Sequence, residues 1–439
     1  MRNPAKQPFG LIINSDLRDG IRSMAPGISL RIIATALGPF ALGYLLSYLL
    51  RAVNAVVAPD LVLDLGLSPA ELGLLTSAYL LAFALFQLPL GVLFDRYGPR
   101  RVQSALLALA ALGCVLFATA PGFVTLFLAR AVIGFGFAGG LMSGFKATSL
   151  WLPLERRAFA NACIMSMGAL GIIGATEPTE YLVSLVGWRS TFLVFAGLVF
   201  TVAGLIFAMV PRRDGERTPA SFAEQFSQLL RILKLPLFWR LAPFLGLTAG
   251  VQIGIQTLWA GPWFRDVMGL GRDQVARHLL WMAVSFMLGI LSSGFLADRL
   301  GRRGISPLTV MLGYLLAYLG AQTIIVLRVP EFSFPAWLVL AATGQAGILA
   351  FPWFASRVGN ELAGRSNATI NFAMFVSAFA AQGVIGMIIG LFAPVATGYA
   401  PEAYSWSFGI FLALQVLALG WYLWSHRAYP VRIESIRTG

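Results

Sequence analysis

The sequence has little charge for its length. Charged residues make up 12% of the 439 positions, whereas a soluble globular protein carries roughly 25%. Hydrophobic residues make up 58%, and they form long runs between short polar segments. This scarcity of charge excludes an ordinary soluble enzyme and a disordered chain. It indicates a polytopic membrane protein whose main solvent is lipid.

Cysteine and histidine are also scarce. Cys114 and Cys163 each lie inside an apolar run, so we expect neither a disulfide framework nor a zinc site. With two histidines and no Gly-x-x-x-x-Gly-Lys-Ser/Thr segment, the sequence offers neither a nucleophile–base pair nor a nucleotide-binding loop. We therefore expect no enzymatic activity, and nothing in the sequence calls for a cofactor.

Long apolar runs predict an all-α membrane protein. A span needs about 20 apolar residues, and glycine and proline are tolerated in such helices because neighbours satisfy the freed backbone groups. We predict twelve transmembrane helices, at residues 33–58, 71–93, 102–120, 123–149, 158–182, 189–210, 238–262, 274–297, 305–327, 335–357, 367–393 and 404–425.

Basic residues are distributed unevenly between the two sides of these spans. Of the 32 Lys and Arg, five fall in the predicted outer segments, three lie inside spans (Arg51, Arg130 and Lys146), and the rest lie in the inner segments. Cytoplasmic loops carry the excess of positive charge, so we expect both termini in the cytoplasm, with the chain in a bacterial inner membrane. The net charge of +13 then reflects topology, not nucleic-acid binding.

The longest inner connection divides the spans six and six. Accordingly, residues 1–32 form a cytoplasmic tail, 33–210 an N-terminal six-helix bundle, 211–237 a cytoplasmic linker, 238–425 a C-terminal six-helix bundle and 426–439 a second cytoplasmic tail. Within the linker, Phe222, Phe226, Leu229 and Leu233 recur at helical spacing after a possible cap at Ser221. This pattern predicts an amphipathic helix on the inner leaflet.

An internal repeat supports this division. Gly91-Val-Leu-Phe-Asp95-Arg96-Tyr-Gly98-Pro-Arg100-Arg101 follows the second span, and Gly294-Phe-Leu-Ala-Asp298-Arg299-Leu-Gly301-Arg302-Arg303 follows the eighth. Glycine permits close helix approach, aspartate can meet an arginine or a helix N-terminus, and the arginines anchor the loop at the inner face. Two copies at equivalent positions indicate duplication of one six-span unit.

The two segments resemble the loop signature of the major facilitator superfamily. The resemblance implies a secondary transporter, in which two six-helix bundles rock around a central cavity and move a small solute, and we expect it to act as a monomer in the lipid bilayer. It also implies a conformational latch for the outward-facing state. The expected latch residues are Gly91, Asp95, Arg96, Gly98, Arg101, Asp298, Arg299 and Arg302.

Further segments resemble the anion:cation symporter branch of that superfamily, which imports organic anions. They include Tyr48-Leu-Leu-Arg51-Ala-Val-Asn54, Leu67-Ser-Pro-Ala-Glu71-Leu-Gly73 and Trp151-Leu-Pro-Leu-Glu155-Arg156. Two departures stand out: Leu50 replaces the aspartate that often precedes the first-span arginine, and no acidic residue follows Arg130 in 135–140. The carboxylates that usually couple protons in the branch are therefore missing.

Ionisable residues inside spans point to function, because burying charge in lipid is costly. Arg51 is predicted to hold a carboxylate or phosphate by two parallel hydrogen bonds, with Asn54 on the same helix face. Arg130 has two interpretations. The segment Arg130-x-x-x-Gly134-x-Gly136 resembles the proton-coupling signature of drug:proton antiporters, whereas a structural arginine would donate to backbone carbonyls.

Glu177 and Glu180 lie in the fifth span on either side of Pro178. Residues three apart are neighbours on a helix surface. Burial favours the protonated carboxyl and a nearby arginine favours the charged one, and this balance suits a proton carrier. We therefore expect proton coupling by Glu177 first, with Glu180 and Arg130. The alternative is a static salt bridge from Glu177 to Arg51 or Arg130.

The repeat predicts an asymmetric binding site. Gly254, between Gln252 and Gln256, stands as far before Asp298 as Arg51 stands before Asp95. Neutral amides would thus face a cation across the site, although polar residues also join membrane helices. The predicted substrate-binding residues are Arg51, Asn54, Tyr79, Arg130, Gln256, Trp259 and Asn371.

These patterns favour a proton-coupled importer of a small organic anion that works by alternating access. An alternative is a drug or cation:proton antiporter, since Gly171-x-x-Gly174-Ala-Thr-Glu177 partly matches the motif typical of that class. A minor alternative is a copper importer with His278 and Met282 as ligands. Such importers also carry a pair of methionines in the seventh span, and the seventh span of this sequence has none.

Overall fold

The structure is a computed structural model that describes residues 33–211, 222–358, 363–395 and 398–428. Across these ranges the secondary structure is helical. The described residues form no β-strand, only an isolated bridge between Val395 and Gly398. The predicted all-α class is confirmed. The predicted tail 1–32 and the predicted cap Ser221 lie outside the described residues, as does most of the tail 426–439.

The helices of the first half of the chain are α1 (Gly38–Ala52), α2 (Asn54–Leu65), α3 (Pro69–Ala118), α4 (Phe123–Phe137), α5 (Gly140–Trp151), α6 (Leu154–Gly174) and α7 (Glu177–Met209). Those that follow are α8 (Phe222–Leu233), α9 (Pro236–Gly254), α10 (Ala260–Asp266), α11 (Arg272–Gly301), α12 (Pro307–Leu327), α13 (Pro330–Thr343), α14 (Ala350–Val358), α15 (Ala363–Ile389) and α16 (Pro401–Ala428). Two π-helical turns, Ile33–Leu37 and Ile255–Trp259, lead into α1 and α10.

Ten helical segments of the described chain are long and apolar enough to cross a membrane, and α1 with α2 makes an eleventh, bent by 46°. The remaining predicted span, the fifth, is divided. Its apolar part in α6, Phe159–Gly174, is shorter than the others, and the chain continues into α7 after a break at Ala175 and Thr176. Helices therefore occupy the positions of all twelve predicted spans.

Two glycines let the chain turn inside long helices. Gly98 in α3 and Gly187 in α7 both have φ of 77°, a backbone conformation that glycine adopts without steric cost. The second and third spans therefore meet directly at Gly98, inside the first copy of the repeated segment. Gly187 likewise separates the end of the fifth span from the sixth.

The first turn of α3 explains the Leu67-Ser-Pro-Ala-Glu71 segment physically. The Ser68 hydroxyl accepts from the Glu71 backbone N–H at 3.2 Å, and the Glu71 carboxylate accepts from the Ser68 N–H at 2.9 Å. Pro69 takes the first helical position, where its missing N–H costs nothing. This capping box fixes the start of the second span.

The first span runs seven residues beyond its predicted end, to Leu65. Pro59 and Asp60 lie inside α2, because the helix continues past the apolar run and carries its polar end into contact with other helices. We call the face of the protein that holds Asp60 the Asp60 face. The first arm of α3 then runs about 43 Å to the opposite side, which we call the Asp95 face.

The helices of the first half pack mainly on one another, as do those from α9 onward, and defined contacts join the halves. The α3 helix packs on α15, α2 on α10, and α11 on α6 and α7. At the Asp60 face the backbones of the halves touch: a Cβ on Gly73 would lie 2.8 Å from the Gln382 carbonyl oxygen, and one on Gly261 would overlap the Ala55 carbonyl. The halves are therefore closed on each other at this face.

The predicted linker helix is present as α8. Ile232 is fully buried and Leu229 is nearly so. The helix contacts α3 from the first half and α15 from the second. It thus lies across both halves on the Asp95 side.

Candidate functional site

A central cavity of about 110 Å³ lies between the two halves. Its polar lining comes from both, with Tyr44, Tyr48, Arg51 and Gln87 on the first half and Gln256, Thr257, Gln345 and Asn371 on the second. Of the described residues that line it, Arg51 is the one that carries a charge. The cavity therefore offers one fixed cation on the first half and several amides on the second.

Arg51 lies near the end of α1, next to the bend at Val53, and is 6% exposed. Its guanidinium carbon lies 4.4 Å from the ring centre of Tyr48, 4.7 Å from Phe83, 5.0 Å from Phe375 and 5.7 Å from Tyr79. Among the described residues no carboxylate forms an ion pair with it, and its Nε has no hydrogen-bond partner. The cation is thus held by aromatic faces.

The amides of the cavity wall hydrogen-bond to each other. Asn371 donates to the Gln87 oxygen at 2.8 Å, which joins α15 to α3 across the two halves. Gln252 donates to the Gln256 oxygen at 2.7 Å, and the Gln256 nitrogen is buried without a partner. The second half thus presents an unused amide donor toward the cavity.

Four predicted binding residues lie behind the cavity wall. Asn54 donates to the Thr76 hydroxyl at 2.7 Å, and the Trp259 indole donates to the Gln382 carbonyl at 3.1 Å. The Tyr79 hydroxyl donates to the Ser47 carbonyl at 3.1 Å, while its ring faces Arg51. These contacts join helices, and they leave Arg51, Gln256 and Asn371 as the predicted binding residues that reach the cavity.

Arg130, the fourth, is fully buried and supports the bend of the first span. One guanidinium nitrogen donates to the Leu50 carbonyl at 2.9 Å, and this carbonyl lies in the last turn of α1, where the helix breaks. The glycines of the Arg130 segment serve packing, since a Cβ on Gly134 would overlap the Tyr79 backbone and one on Gly136 would meet Leu106 and Ala110. This geometry matches the structural interpretation of Arg130.

Glu177 and Glu180 have different surroundings. Glu177, in the first turn of α7, is exposed, whereas Glu180 is 5% exposed. Glu180 accepts from Arg272 of α11, which also donates to both oxygens of Asp60 at 2.9 and 2.6 Å. This group, which we call the Asp60–Arg272–Glu180 cluster, joins the halves at the Asp60 face.

A smaller cavity of about 100 Å³ adjoins this cluster and is lined by Glu180, Arg272 and Arg265. Arg265 donates to Asp266 at 2.6 Å, and the buried Asp266 also accepts from the Tyr404 hydroxyl and the Tyr399 backbone N–H. Burial raises the pKa of the nearby Tyr399 hydroxyl to about 12, so it stays neutral at physiological pH. Asp266 therefore anchors the end of α10 against the start of α16 and the residues just before it.

The two copies of the predicted latch differ. Asp95, one turn after Gly91, pairs with Lys146 at 2.9 Å within the first half, while Arg96 and Arg101 are exposed. Asp298, Arg299 and Arg302 are all exposed. The position in the second half that corresponds to Lys146 is Leu349, so the repeat supplies no cation for Asp298 there.

His278 and Met282 are placed for packing. The His278 ring lies 4.3 Å from the Phe334 ring and 5.1 Å from the Phe264 ring, and Met282 is buried. In the part of the chain that the structure describes, no three His, Cys, Asp or Glu side chains are grouped as metal ligands would be.

Two features of the site were missed by sequence reasoning. Phe375 is one of several apolar residues in the eleventh predicted span, one turn after Asn371, and its apolar character alone did not mark it as a contact of Arg51. In the sequence Arg272 is one of the few basic residues of the outer segments, and its contact with Asp60 carries no sequence signal because the two positions lie more than two hundred residues apart.

Comparison with known proteins gives a family and relatives. A family model described as Major Facilitator Superfamily matches residues 40–382. A probable sulfoacetate transporter of Cupriavidus necator is 27% identical over 61% of this chain and 65% of its own length, so the chain spans a little under two thirds of that relative. A probable L-galactonate transporter of Escherichia coli is 25% identical over 84% of this chain and 83% of its own length.

A solved structure shares the fold. It is a bacterial homolog to the human lysosomal transporter Spinster in an inward-facing and unoccupied conformation, with a TM-score of 0.73 and 19% identity. The alignment covers 92% of this chain and 98% of that one. This likeness concerns the arrangement of the helices.

Proposed function

Because the chain belongs to the major facilitator superfamily, we propose that it moves a small organic anion across the membrane by alternating access. The family and the transporters related to it make the chain a secondary transporter and not an enzyme. Arg51 carries the proposal for an anion, because it is the charged side chain of the cavity lining and no described carboxylate neutralises it.

Arg51 suits an anion for two physical reasons. A guanidinium presents parallel N–H donors that match a carboxylate or sulfonate, and such charged hydrogen bonds are stronger than neutral ones. Arg51 is also buried, at 6% exposed, so water competes weakly for these donors. A bound anion would satisfy a buried cation that otherwise lacks a counter-ion.

The opposite wall favours a substrate with further polar groups. The Gln256, Gln345 and Asn371 amides line it, and each can both donate and accept hydrogen bonds. The cavity volume of about 110 Å³ corresponds to roughly four water molecules at about 30 Å³ each, which fits a solute of a few heavy atoms or a larger one after local adjustment. The relatives named as transporters of sulfoacetate and L-galactonate support a substrate of this kind.

The alternatives gain no support from the site. An organic cation would meet Arg51 and no lining carboxylate among the described residues, so the geometry does not favour a drug or cation:proton antiporter. His278 and Met282 are engaged in packing. Import of copper through them likewise gains no support.

The test is binding and uptake by purified protein in lipid vesicles, with L-galactonate and sulfoacetate as probes. We expect Arg51→Gln to lower anion affinity about a hundredfold, because it removes one member of a buried charge pair. Arg277→Gln, at an exposed arginine, is the matched control and should behave as wild type. The anion site is refuted if Arg51→Gln binds and transports the probes as wild type does.

We further propose that protons drive this transport and that Glu180, not Glu177, takes part. Glu180 is buried and bound to the opposite half through Arg272, whereas Glu177 is exposed. Arg272 places one positive charge between the two carboxylates of Asp60 and Glu180. The cluster therefore carries one unbalanced negative charge, and one added proton neutralises it. A proton on Glu180 would remove one contact that holds the Asp60 face closed.

Three expectations from the sequence complete the proposal. The halves 33–210 and 238–425 move as two bundles, with 211–237 as their connection. The Asp95 face is cytoplasmic in a bacterial inner membrane with both termini on that side, as the arginine and lysine distribution favours. The transporter acts as a monomer, as the family resemblance of the sequence leads us to expect.

A further inference from the structure

The aromatic rings around Arg51 come from both halves of the protein. Tyr48 lies one turn before Arg51 in α1, Phe83 lies in α3, and Phe375 lies in α15 of the second half. All three line the cavity. The Phe83 and Phe375 rings also touch, with centres 4.6 Å apart. The guanidinium thus lies in an aromatic cage, defined as Tyr48, Phe83 and Phe375, to which both halves contribute.

The cage bears on a step that net transport by alternating access needs. To move solute in net amount, the empty protein must return through a closed state. In this chain Arg51 is 6% exposed in the cavity between the halves, and a cation removed from water without a counter-ion is strongly disfavoured. No described carboxylate near the cavity can neutralise it.

We propose that Tyr48, Phe83 and Phe375 act as the counter-ion of Arg51 in the substrate-free transporter, and thereby permit the empty protein to return. This inference rests on the proposed function of Arg51 as the anion-binding charge. The negative face of an aromatic ring attracts a guanidinium, and the attraction grows when water is excluded. Several faces at 4.4 to 5.0 Å share this role.

The cage also competes with the substrate. An anion that forms parallel hydrogen bonds to Arg51 has to occupy space at the edge of the guanidinium. It thereby weakens the contact between the guanidinium and the rings. Phe375 is the cage member contributed by the second half, so its contact with Arg51 forms when the cavity is empty and the halves are together. Its loss should favour the anion-bound protein and disfavour the empty closed one.

The test separates net transport from exchange. Vesicles loaded with labelled L-galactonate, or with sulfoacetate, are diluted either into buffer without anion or into buffer with the same anion. Efflux into anion-free buffer requires the empty protein to return, whereas exchange does not. We expect Phe375→Leu, which keeps apolar bulk and removes the ring, to slow net efflux about tenfold while exchange continues.

Two further measurements keep a structural explanation apart from the proposed one. Phe375→Leu should bind the anion more tightly than wild type, by up to about tenfold, because the competing ring is gone; a merely damaged site would bind more weakly. Phe375→Tyr retains the ring face and should restore net efflux. Phe86→Leu is the matched control, since Phe86 lies one turn from Phe83 and stacks on Phe135 within the first half.

The outcomes are distinguishable. Equal loss of exchange and net efflux in Phe375→Leu, or no loss of either, overturns the aromatic counter-ion. Weaker anion binding by Phe375→Leu in a protein that folds as wild type does the same. If wild-type vesicles neither exchange nor release any probe anion, the proposed function fails first, whatever the variants do.

Discussion

At the scale of single residues, the hydrogen bond between Asn54 and Thr76 assigns Asn54 a structural role. Both side chains are buried, and the 2.7 Å bond joins α2 to α3. We expect Asn54→Ala to lower the free energy of unfolding by about 1 kcal/mol and to leave anion affinity unchanged. Thermal unfolding and binding of the probe anions, measured on the same preparations, check both parts.

A double-mutant cycle sharpens this expectation. Thr76→Val removes the other partner of the same bond, so the two single variants should lose similar stability and the double variant should lose little more. Additive losses would show that the two side chains act separately. Weaker anion binding by Asn54→Ala, but not by Thr76→Val, would show that Asn54 takes part in substrate binding.

Sequence reasoning located the charge at the centre of the site and misjudged several neighbours. Arg51 stood out because a cation inside an apolar run is energetically costly unless it has a functional or structural role. The sequence ranks Glu177 before Glu180, whereas the structure exposes Glu177 and buries Glu180; residues three apart on a helix point about 60° apart, and only packing decides which one is buried. Phe375 gave no signal, since its contact with Arg51 joins positions more than three hundred residues apart.

At the scale of helices, the two halves depart from regular helix at corresponding places. The first span bends at Val53, and 203 residues later Gln256 lies in the π-helical turn Ile255–Trp259. Both irregular segments adjoin the central cavity, and irregular backbone at membrane depth is tolerated where it lines a cavity. The repeat predicted the correspondence of these positions, but hydropathy carries no information on a bend or a π-turn.

The contact of α4 with α3 depends on Gly134. A Cβ at this position would overlap the backbone of Tyr79, whose ring faces Arg51. We expect Gly134→Ala to separate the two helices, to cost about 1–3 kcal/mol of stability and to reduce transport. Thermal unfolding of the purified variant, together with uptake in vesicles, measures both effects.

Gly197→Ala is the matched control. Gly197 lies in the helical α7 with open space where a Cβ would be, so the same substitution should be neutral or stabilise by up to about 1 kcal/mol through helix propensity. Equal behaviour of the two alanine variants would contradict close packing at Gly134.

At the scale of the whole molecule, the two faces are closed by different chemistry. The Asp60 face combines touching backbones at Gly73 and Gly261 with the Asp60–Arg272–Glu180 cluster. Toward the Asp95 face, the halves are joined by the Gln87–Asn371 hydrogen bond and by α8. Composition and the repeat predicted the fold, but not which face is closed, because contacts between the halves depend on side chains far apart in the chain.

The closed Asp60 face gives the final prediction, which concerns how a proton reaches the transport cycle. The carboxylates that share Arg272 repel each other, and Asp273 adds a further negative charge near Glu180. A proton on Glu180 relieves that repulsion and releases one bond between α7 and α11. If protons drive transport here, one proton per monovalent anion would support about tenfold accumulation for each unit of pH difference.

Glu180→Gln fixes this side chain in a neutral form, so we expect exchange of the probe anion to continue and accumulation driven by a pH gradient to disappear. Asp64→Asn is the control, because Asp64 pairs with Arg189 in the same half and does not join the halves. Uptake in vesicles with an imposed pH difference, compared with exchange at equal pH, separates the two activities. Accumulation that persists in Glu180→Gln but fails in Glu177→Gln would move the proton site to Glu177, since only a group that itself gains and loses the proton can link the gradient to opening of the Asp60 face.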